Sequence, residues 1–243
     1  MDITHAGSQP AVSEAKRRRR GSLAILLRAA QTRRGLFGLS LTGLVAAVAA
    51  IGPSVTPHAA TAFVSLPYAS PASGSLLGAD TLGRDVLSRV LAGGWVLLLM
   101  AAAATLIGVT LGTMAGVASA YRRGWVEAAI MRGVDVVLAF PQLVFALLLV
   151  SLVGPKLWLI VIAVSVSHAP QVARVMHAAT VGIAERPFIK AKELNGVRSP
   201  RIMFGEILPN LITPIVVELG LRLTFSIVVM AGLAFLGFGQ PPP

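Results

Sequence analysis

Five apolar runs dominate this chain: Leu36 to Ile51, Trp95 to Tyr121, Val134 to Val153, Leu157 to Ala173 and Leu211 to Phe238. A helix needs roughly 20 apolar residues to cross the hydrocarbon core of a bilayer, and the runs approach or exceed that length, the first and fourth being the shortest. They are continuous and do not alternate, which argues against a transmembrane β-barrel. The expected fold is all-α, a polytopic transmembrane helical bundle with five spans. Composition agrees: 55% of the 243 residues are hydrophobic and only 13% are charged, the balance of a chain solvated mostly by lipid.

Basic residues concentrate on the cytoplasmic side of membrane proteins, whereas acidic ones matter little. With a cytoplasmic N-terminus, 17 of the 21 Lys and Arg residues fall inside. Eight precede the first span (Lys16, Arg17 to Arg20, Arg28, Arg33, Arg34), three surround the second loop (Arg122, Arg123, Arg132), and six lie between the fourth and fifth spans (Arg174, Arg186, Lys190, Lys192, Arg198, Arg201). Arg84, Arg89 and Lys156 fall outside, and Arg222 lies within the fifth span. The opposite orientation inverts the ratio. The net charge of +11 is explained by this topology signal and by attraction to anionic lipid, about 1 kcal/mol per basic residue near the surface, and a nucleic-acid partner is not expected. The polar segment Met1 to Ala15 is expected to be disordered. A cleavable signal peptide shares the layout of the first span, with Ala60-Thr61-Ala62 as small-residue site; the further spans that follow fit a retained signal anchor better.

The chain has no G-x-x-x-x-G-K-[ST] phosphate loop, no H-E-x-x-H zinc helix and no G-x-S-x-G nucleophile elbow, so no enzymatic activity is expected of it. Zero cysteines exclude disulfides and thiolate chemistry. Its four histidines do not cluster in sequence, so no metal site is proposed, and His168 is expected to be a hydrogen-bonded packing residue. Glu218 and Arg222, at i and i+4 with the acid first, suit a helical ion pair inside the fifth span. Charges at that depth are functional candidates by default. They form either a translocation or proton-relay pair or a local pair that neutralises itself.

Gly108, Gly112 and Gly116 line one helical face, where two backbones can approach closely. Pro141 and Pro170 remove helix hydrogen bonds and should kink the third and fourth spans. Arg132 and Asp135 suit a local pair at the membrane boundary, and Asp80 to Asp85 could cap a short helix over Thr81 to Leu91 on the outer face.

Between the fourth and fifth spans lies a polar helix-turn-helix, Phe188 to Asn210. Pro187 suits a first helical position and Gly196 the left-handed residue that ends a helix. Ser199 and Pro200 restart one, and Leu208-Pro209 is expected to stop it. Phe188, Ala191 and Leu194, at i, i+3 and i+6 beside Lys190, Lys192 and Glu193, form an apolar stripe suited to lying flat on a partner protein.

Here the sequence resembles a family. Ala191, Gly196, nine further residues and then Glu206-Ile207-Leu208-Pro209 are similar to the cytoplasmic loop of bacterial ABC-importer permeases: EAA, three residues, G, nine residues, I-x-L-P. The glycine and Leu-Pro are in register. Lys190-Ala191-Lys192 departs from the usual Glu-Ala-Ala, and Glu206 stands in an apolar position. Leu77 to Gly94, Met131 to Val150 and Ala234 to Pro242 resemble the dipeptide, oligopeptide and nickel branch of these permeases. The family usually has uncharged residues at the Glu218 and Arg222 positions.

The resemblance implies a type I ABC importer permease fold working by alternating access in the bacterial inner membrane. It implies a homologous permease subunit, two ATP-binding subunits carrying ATP and Mg, and an extracytoplasmic substrate-binding protein. No cofactor is expected in this chain. Residues 1–34 form a basic cytoplasmic segment, 35–57 the first span, 58–94 an extracytoplasmic loop with a short helix, and 95–243 the permease core with a cytoplasmic coupling loop at 174–210. Phe188, Lys190, Ala191, Glu193, Leu194 and Gly196 are expected to couple to the ATPases, with Leu208 and Pro209 as the rigid corner. The family has six spans; the sixth is expected to be missing from this sequence, which ends at Pro243 where that span would follow an outer loop. The rival expectation is an ion-gradient-driven secondary transporter or channel using Glu218 and Arg222.

Overall fold

The computed structural model describes residues 32–238 apart from 73 and 155. The basic run Lys16 to Arg20, Arg28, the polar segment before them and the closing Gln240 to Pro243 lie outside the described residues. Among the described residues there are nine α-helices: α1 (Arg33–Ile51), α2 (Val86–Arg122), α3 (Gly124–Leu138), α4 (Gln142–Val153), α5 (Leu157–Ala184), α6 (Pro187–Leu194), α7 (Ser199–Ile202), α8 (Leu208–Asn210) and α9 (Ile212–Leu233). A π turn, Met203–Ile207, joins α7 to α8, and another, Ala234–Phe238, extends α9.

Four stretches, Gly35–Ser54, Val86–Arg122, Leu157–Ala184 and Ile212–Phe238, are long and apolar enough to cross a membrane. The third expected span is broken. Gly124–Leu138 and Gln142–Leu152 meet at 87° across Ala139 to Pro141, because Pro141 cannot donate the backbone bond that would continue the helix. Counted as one broken span, the pair brings the total among the described residues to five. Pro170 lies inside α5, which runs unbroken from Leu157 to Ala184.

Two helices outrun their apolar cores. The second begins at Val86, so the helical residues within 58–94 are the first turns of α2 and not a separate element. Asp85, not Asp80, is the cap, its Oδ2 accepting from the Ser88 amide at 3.1 Å and the Ser88 hydroxyl at 2.5 Å. Asp80 instead closes the preceding turn, accepting from the Leu82 and Arg84 amides at 2.8 and 2.9 Å and pairing with Arg89. Burial pushes the Asp85 carboxyl upward, but the Ser88 hydroxyl and the Ser88 and Leu87 amides outweigh it, so the group sits below its ordinary value. A lowered folded pKa means the cap's contribution is present above the unfolded value of about 3.9 and lost as pH falls through the folded one. Asp85→Ala should cost about 1 kcal/mol at neutral pH and flatten the loss of thermal stability below about pH 4, as read by melting of the detergent-solubilised chain across pH.

The centre of the bundle is the α2–α5 seam, and both helices run the same way. A Cβ at Gly108 would come within 2.9 Å of the Ser165 carbonyl oxygen, at Gly112 within 2.5 Å of that of Ala169, and at Gly116 within 2.5 Å of that of Ala173. The glycine ladder is thus a backbone-to-backbone contact. Around it the core forms levels. Ala101, Ala146, Ala163 and Leu233 lie in one apolar cluster; Val109, Val172 and Met176 form a middle one; Val117, Ile183, Ile189 and Ile207 form a third at the far end. The first helix rests on α2 at two small-residue contacts, Gly52 against Leu91 and Gly94 against Ala49.

Candidate functional site

The polar segment after α5 folds onto the end of the bundle. Pro187 occupies the first turn of α6, as its fixed φ and missing donor permit. The helix ends in a Schellman turn: the Val197 amide donates to the Lys192 carbonyl at 3.1 Å and the Gly196 amide to that of Glu193 at 3.0 Å, with Gly196 at φ +73°. The expected cap at Ser199 is shifted by one residue, because Arg198 holds the cap position and Ser199 is already helical. Leu208-Pro209 does not stop the helical path either. The π turn Met203–Ile207 precedes Pro209 and absorbs its missing donor, the Asn210 side-chain amide donates to the Glu206 carbonyl at 2.6 Å, and the chain turns only at Leu211.

One face of α6 is anchored and the other is free. Ile189 is fully buried among Val117, Ile183, Ile202 and Ile207, and Lys192 pairs with Glu206 across the turn. Phe188, Lys190, Ala191, Glu193, Leu194 and Gly196 are all exposed, Leu194 at 89%. Leu208 is half-buried and Pro209 exposed. The sequence stripe of Phe188, Ala191 and Leu194 therefore faces outward, while Ile189, which sequence reasoning passed over, holds the helix in place. Its signal was present: Ile189 is the one large apolar residue between Phe188 and Leu194 outside the stripe.

Charged contacts at this end cross between helices. Arg123 meets Glu185 at 2.8 Å, His177 meets Glu127 at 2.7 Å and Arg174 meets Asp135 at 2.5 Å. The last corrects the expected Arg132–Asp135 pair: Asp135 reaches across to α5. Both members of the Arg174–Asp135 pair are more than half exposed, so it orients α3 and adds little stability.

Deep in the bundle, Glu218, Arg222 and Ser226 recur at i, i+4 and i+8 on α9, all buried, at 5%, 8% and 0% exposure. Arg222 Nε donates to Glu218 Oε2 at 2.9 Å, its second nitrogen donates to the Gln171 side-chain oxygen on α5, and the guanidinium lies 5.4 Å from the centre of the Phe225 ring. Ser226 Oγ lies 3.0 Å from Thr105 Oγ1 on α2 and 3.0 Å from His168 Nε2 on α5. His168 Nδ1 lies 2.7 Å from the Gln142 amide nitrogen on α4. An imidazole protonated at Nε2 satisfies both contacts, accepting from Gln142 and donating to Ser226. Four helices are thus stitched through one polar level, and His168 is the hydrogen-bonded packing residue expected of it. Gln142, Gln171, Thr105 and Ser226 were not singled out from sequence, because their role exists only across helices. Among the described residues no group of three or more His, Asp or Glu side chains is placed to hold a metal ion.

A long glycine-seamed helix, a broken span, a polar helix-turn-helix docked on one end and a final apolar helix make up an integral-membrane transport component. The family model for the inner membrane component of binding-protein-dependent transport systems matches residues 108–243, and this chain belongs to that family. The match starts at the first rung of the glycine ladder and covers every candidate site residue named from sequence. The chain is 35% identical over 173 residues to the glutathione transport system permease protein GsiD of Pectobacterium atrosepticum, covering 71% of this chain and 58% of that protein. It is 31% identical over 220 residues to the dipeptide transport system permease protein DppC of Haemophilus influenzae, covering 88% of this chain and 75% of that one. A putative peptide transport system permease protein of Brucella suis is 32% identical over 210 residues, 85% of this chain and 70% of the relative. Its family and its apolar helices make it a multi-pass protein of the inner membrane.

Proposed function

We propose that this chain is the membrane-spanning permease subunit of an ATP-driven importer that moves di- or oligopeptides by alternating access. The reading rests above all on the outward face of α6, an exposed apolar stripe on a helix fixed from behind by Ile189 and ended by Gly196. The relatives' names favour it over an ion-driven transporter, and two of the three relatives named above carry peptide or dipeptide in theirs. The partners are a homologous permease, two ATP-binding subunits that hold ATP and Mg, and an extracytoplasmic binding protein. The N-terminus is cytoplasmic, placing α6 on the side of the ATPases. Drawing the ATPases together pushes on Phe188 and Leu194. The movement passes through the rigid helix and the Lys192–Glu206 contact to Leu208-Pro209, and from there into α9.

The test is substrate-stimulated ATP hydrolysis by the reconstituted complex. Gly196→Val forces a β-branched residue into φ +73°, at a cost on the order of 1–2 kcal/mol, and should sharply reduce stimulation while leaving the complex assembled. The double variant Glu218→Gln, Arg222→Gln, which leaves no buried charge unpaired, should leave stimulation largely intact. The reverse pattern, with transport lost in a stably folded Glu218→Gln, Arg222→Gln double variant and unaffected in Gly196→Val, would support the ion-coupled alternative and overturn the reading.

A further inference from the structure

An open apolar cleft of about 220 Å³ lies between the last turns of α2 and the α7–α8 segment. Its walls are Met114 and Ala118 on one side and Met203, Phe204 and Leu208 on the other, and Arg122 closes one end. Met114 and Phe204 stand more than half exposed at its rim, so the cleft opens sideways, off the bundle.

Three features define its occupant. The cleft follows α2 from Thr113 to Arg122, a rise of about 14 Å along the helix, close to the roughly 15 Å depth of one leaflet's hydrocarbon. Its polarity is graded the same way, apolar along its length and cationic at the helix end where the polar segment begins. Arg122 makes no ion pair among the described residues, in contrast to its neighbour Arg123, which is engaged by Glu185. An unpaired guanidinium at the membrane boundary above an apolar slot complements a phosphodiester with an acyl chain beneath it.

We propose that this cleft binds one anionic phospholipid, its headgroup phosphate on Arg122 and an acyl chain along Met114, Ala118 and Phe204. The lipid fills the gap between α2 and the segment carrying Leu208-Pro209, and so lies against the part of the chain that moves if the coupling reading is right. The site itself needs only the membrane placement shown by the family, and it stands or falls independently of ATP coupling.

The experiment uses the full chain with whatever subunits accompany it from the membrane, delipidated in mild detergent and titrated with phosphatidylglycerol or phosphatidylcholine under native mass spectrometry. The expected result is one retained phosphatidylglycerol, bound in preference to phosphatidylcholine. Arg122→Gln should weaken it about fivefold, the effect of one surface cation, and erase the preference; Ala118→Trp should fill the slot and displace both lipids. Arg132→Gln, which removes a cation outside the cleft, serves as control and should change nothing. Equal binding of the two lipids, an unchanged preference in Arg122→Gln, or a cross-link from Met114→Cys into a second permease subunit with no lipid retained would each overturn the proposal.

Discussion

Arg222→Met should destabilise the protein by about 3–5 kcal/mol, because it leaves the Glu218 carboxylate buried without its partner. The guanidinium serves both the Glu218 oxygen at 2.9 Å and the Gln171 side chain, so one truncation strands two acceptors on two helices. Thermal unfolding of the solubilised chain should shift strongly downward. The double variant Glu218→Gln, Arg222→Gln should recover most of the loss, since two neutral amides can hydrogen-bond to each other at i and i+4 and neither carries a charge to desolvate. If the pair's task is to neutralise itself while joining α9 to α5, the double variant also retains ATP-driven transport. A double variant that is fully stable yet inactive in transport would instead put Glu218 and Arg222 in the translocation step.

Gly112→Val should be the most damaging single change in the seam. Its first added carbon meets the Ala169 carbonyl oxygen at 2.5 Å and Val172 Cβ at 2.6 Å, and neither is the far end of a flexible side chain that could swing away. Overpacking of this kind costs about 1–3 kcal/mol, and more where both obstacles are fixed in helices. Gly182, on α5 with nothing within 4 Å of its Cβ position, supplies the contrast. There Gly→Ala should be neutral or stabilising by up to about 1 kcal/mol, because helix propensity is the only quantity that changes. Comparing melting temperatures of the two variants separates close packing from propensity. Equal effects would remove the seam from the account.

What sequence could show here was set by the range over which each feature is encoded. The glycine ladder and the Schellman turn at Gly196 are local patterns with one structural meaning, and both stand where spacing placed them. Helix ends were less legible. Hydropathy marks where the lipid environment stops, but backbone hydrogen bonding does not stop there, so α2 reaches back to Val86 and α5 on to Ala184. Prolines divided: Pro141 sits where two helices part at 87°, whereas Pro170 lies inside an unbroken helix. Pro209 was misjudged because a π turn can absorb a missing donor without ending the helical path. The Glu218–Arg222 pair was visible at i, i+4. The neighbouring Ser226–His168–Gln142 contacts were not, because nothing in a single helix tells which polar residues of three others share its level. The same limit explains Asp135, whose local partner lost to Arg174 across the bundle.

The central claim, that force enters this chain through the exposed face of α6, is tested most directly by photo-crosslinking from a single site. A photoreactive residue at Leu194, 89% exposed on that face, is compared in native membranes with one at Leu66, 80% exposed in the loop before α2. Mass spectrometry then identifies what each has captured. The account predicts that Leu194 captures a polypeptide bearing a G-x-x-x-x-G-K-[ST] phosphate loop and that Leu66 does not. Capture of that ATPase from Leu66, or ATP-driven transport in membranes where Leu194 captures no such subunit, would contradict it.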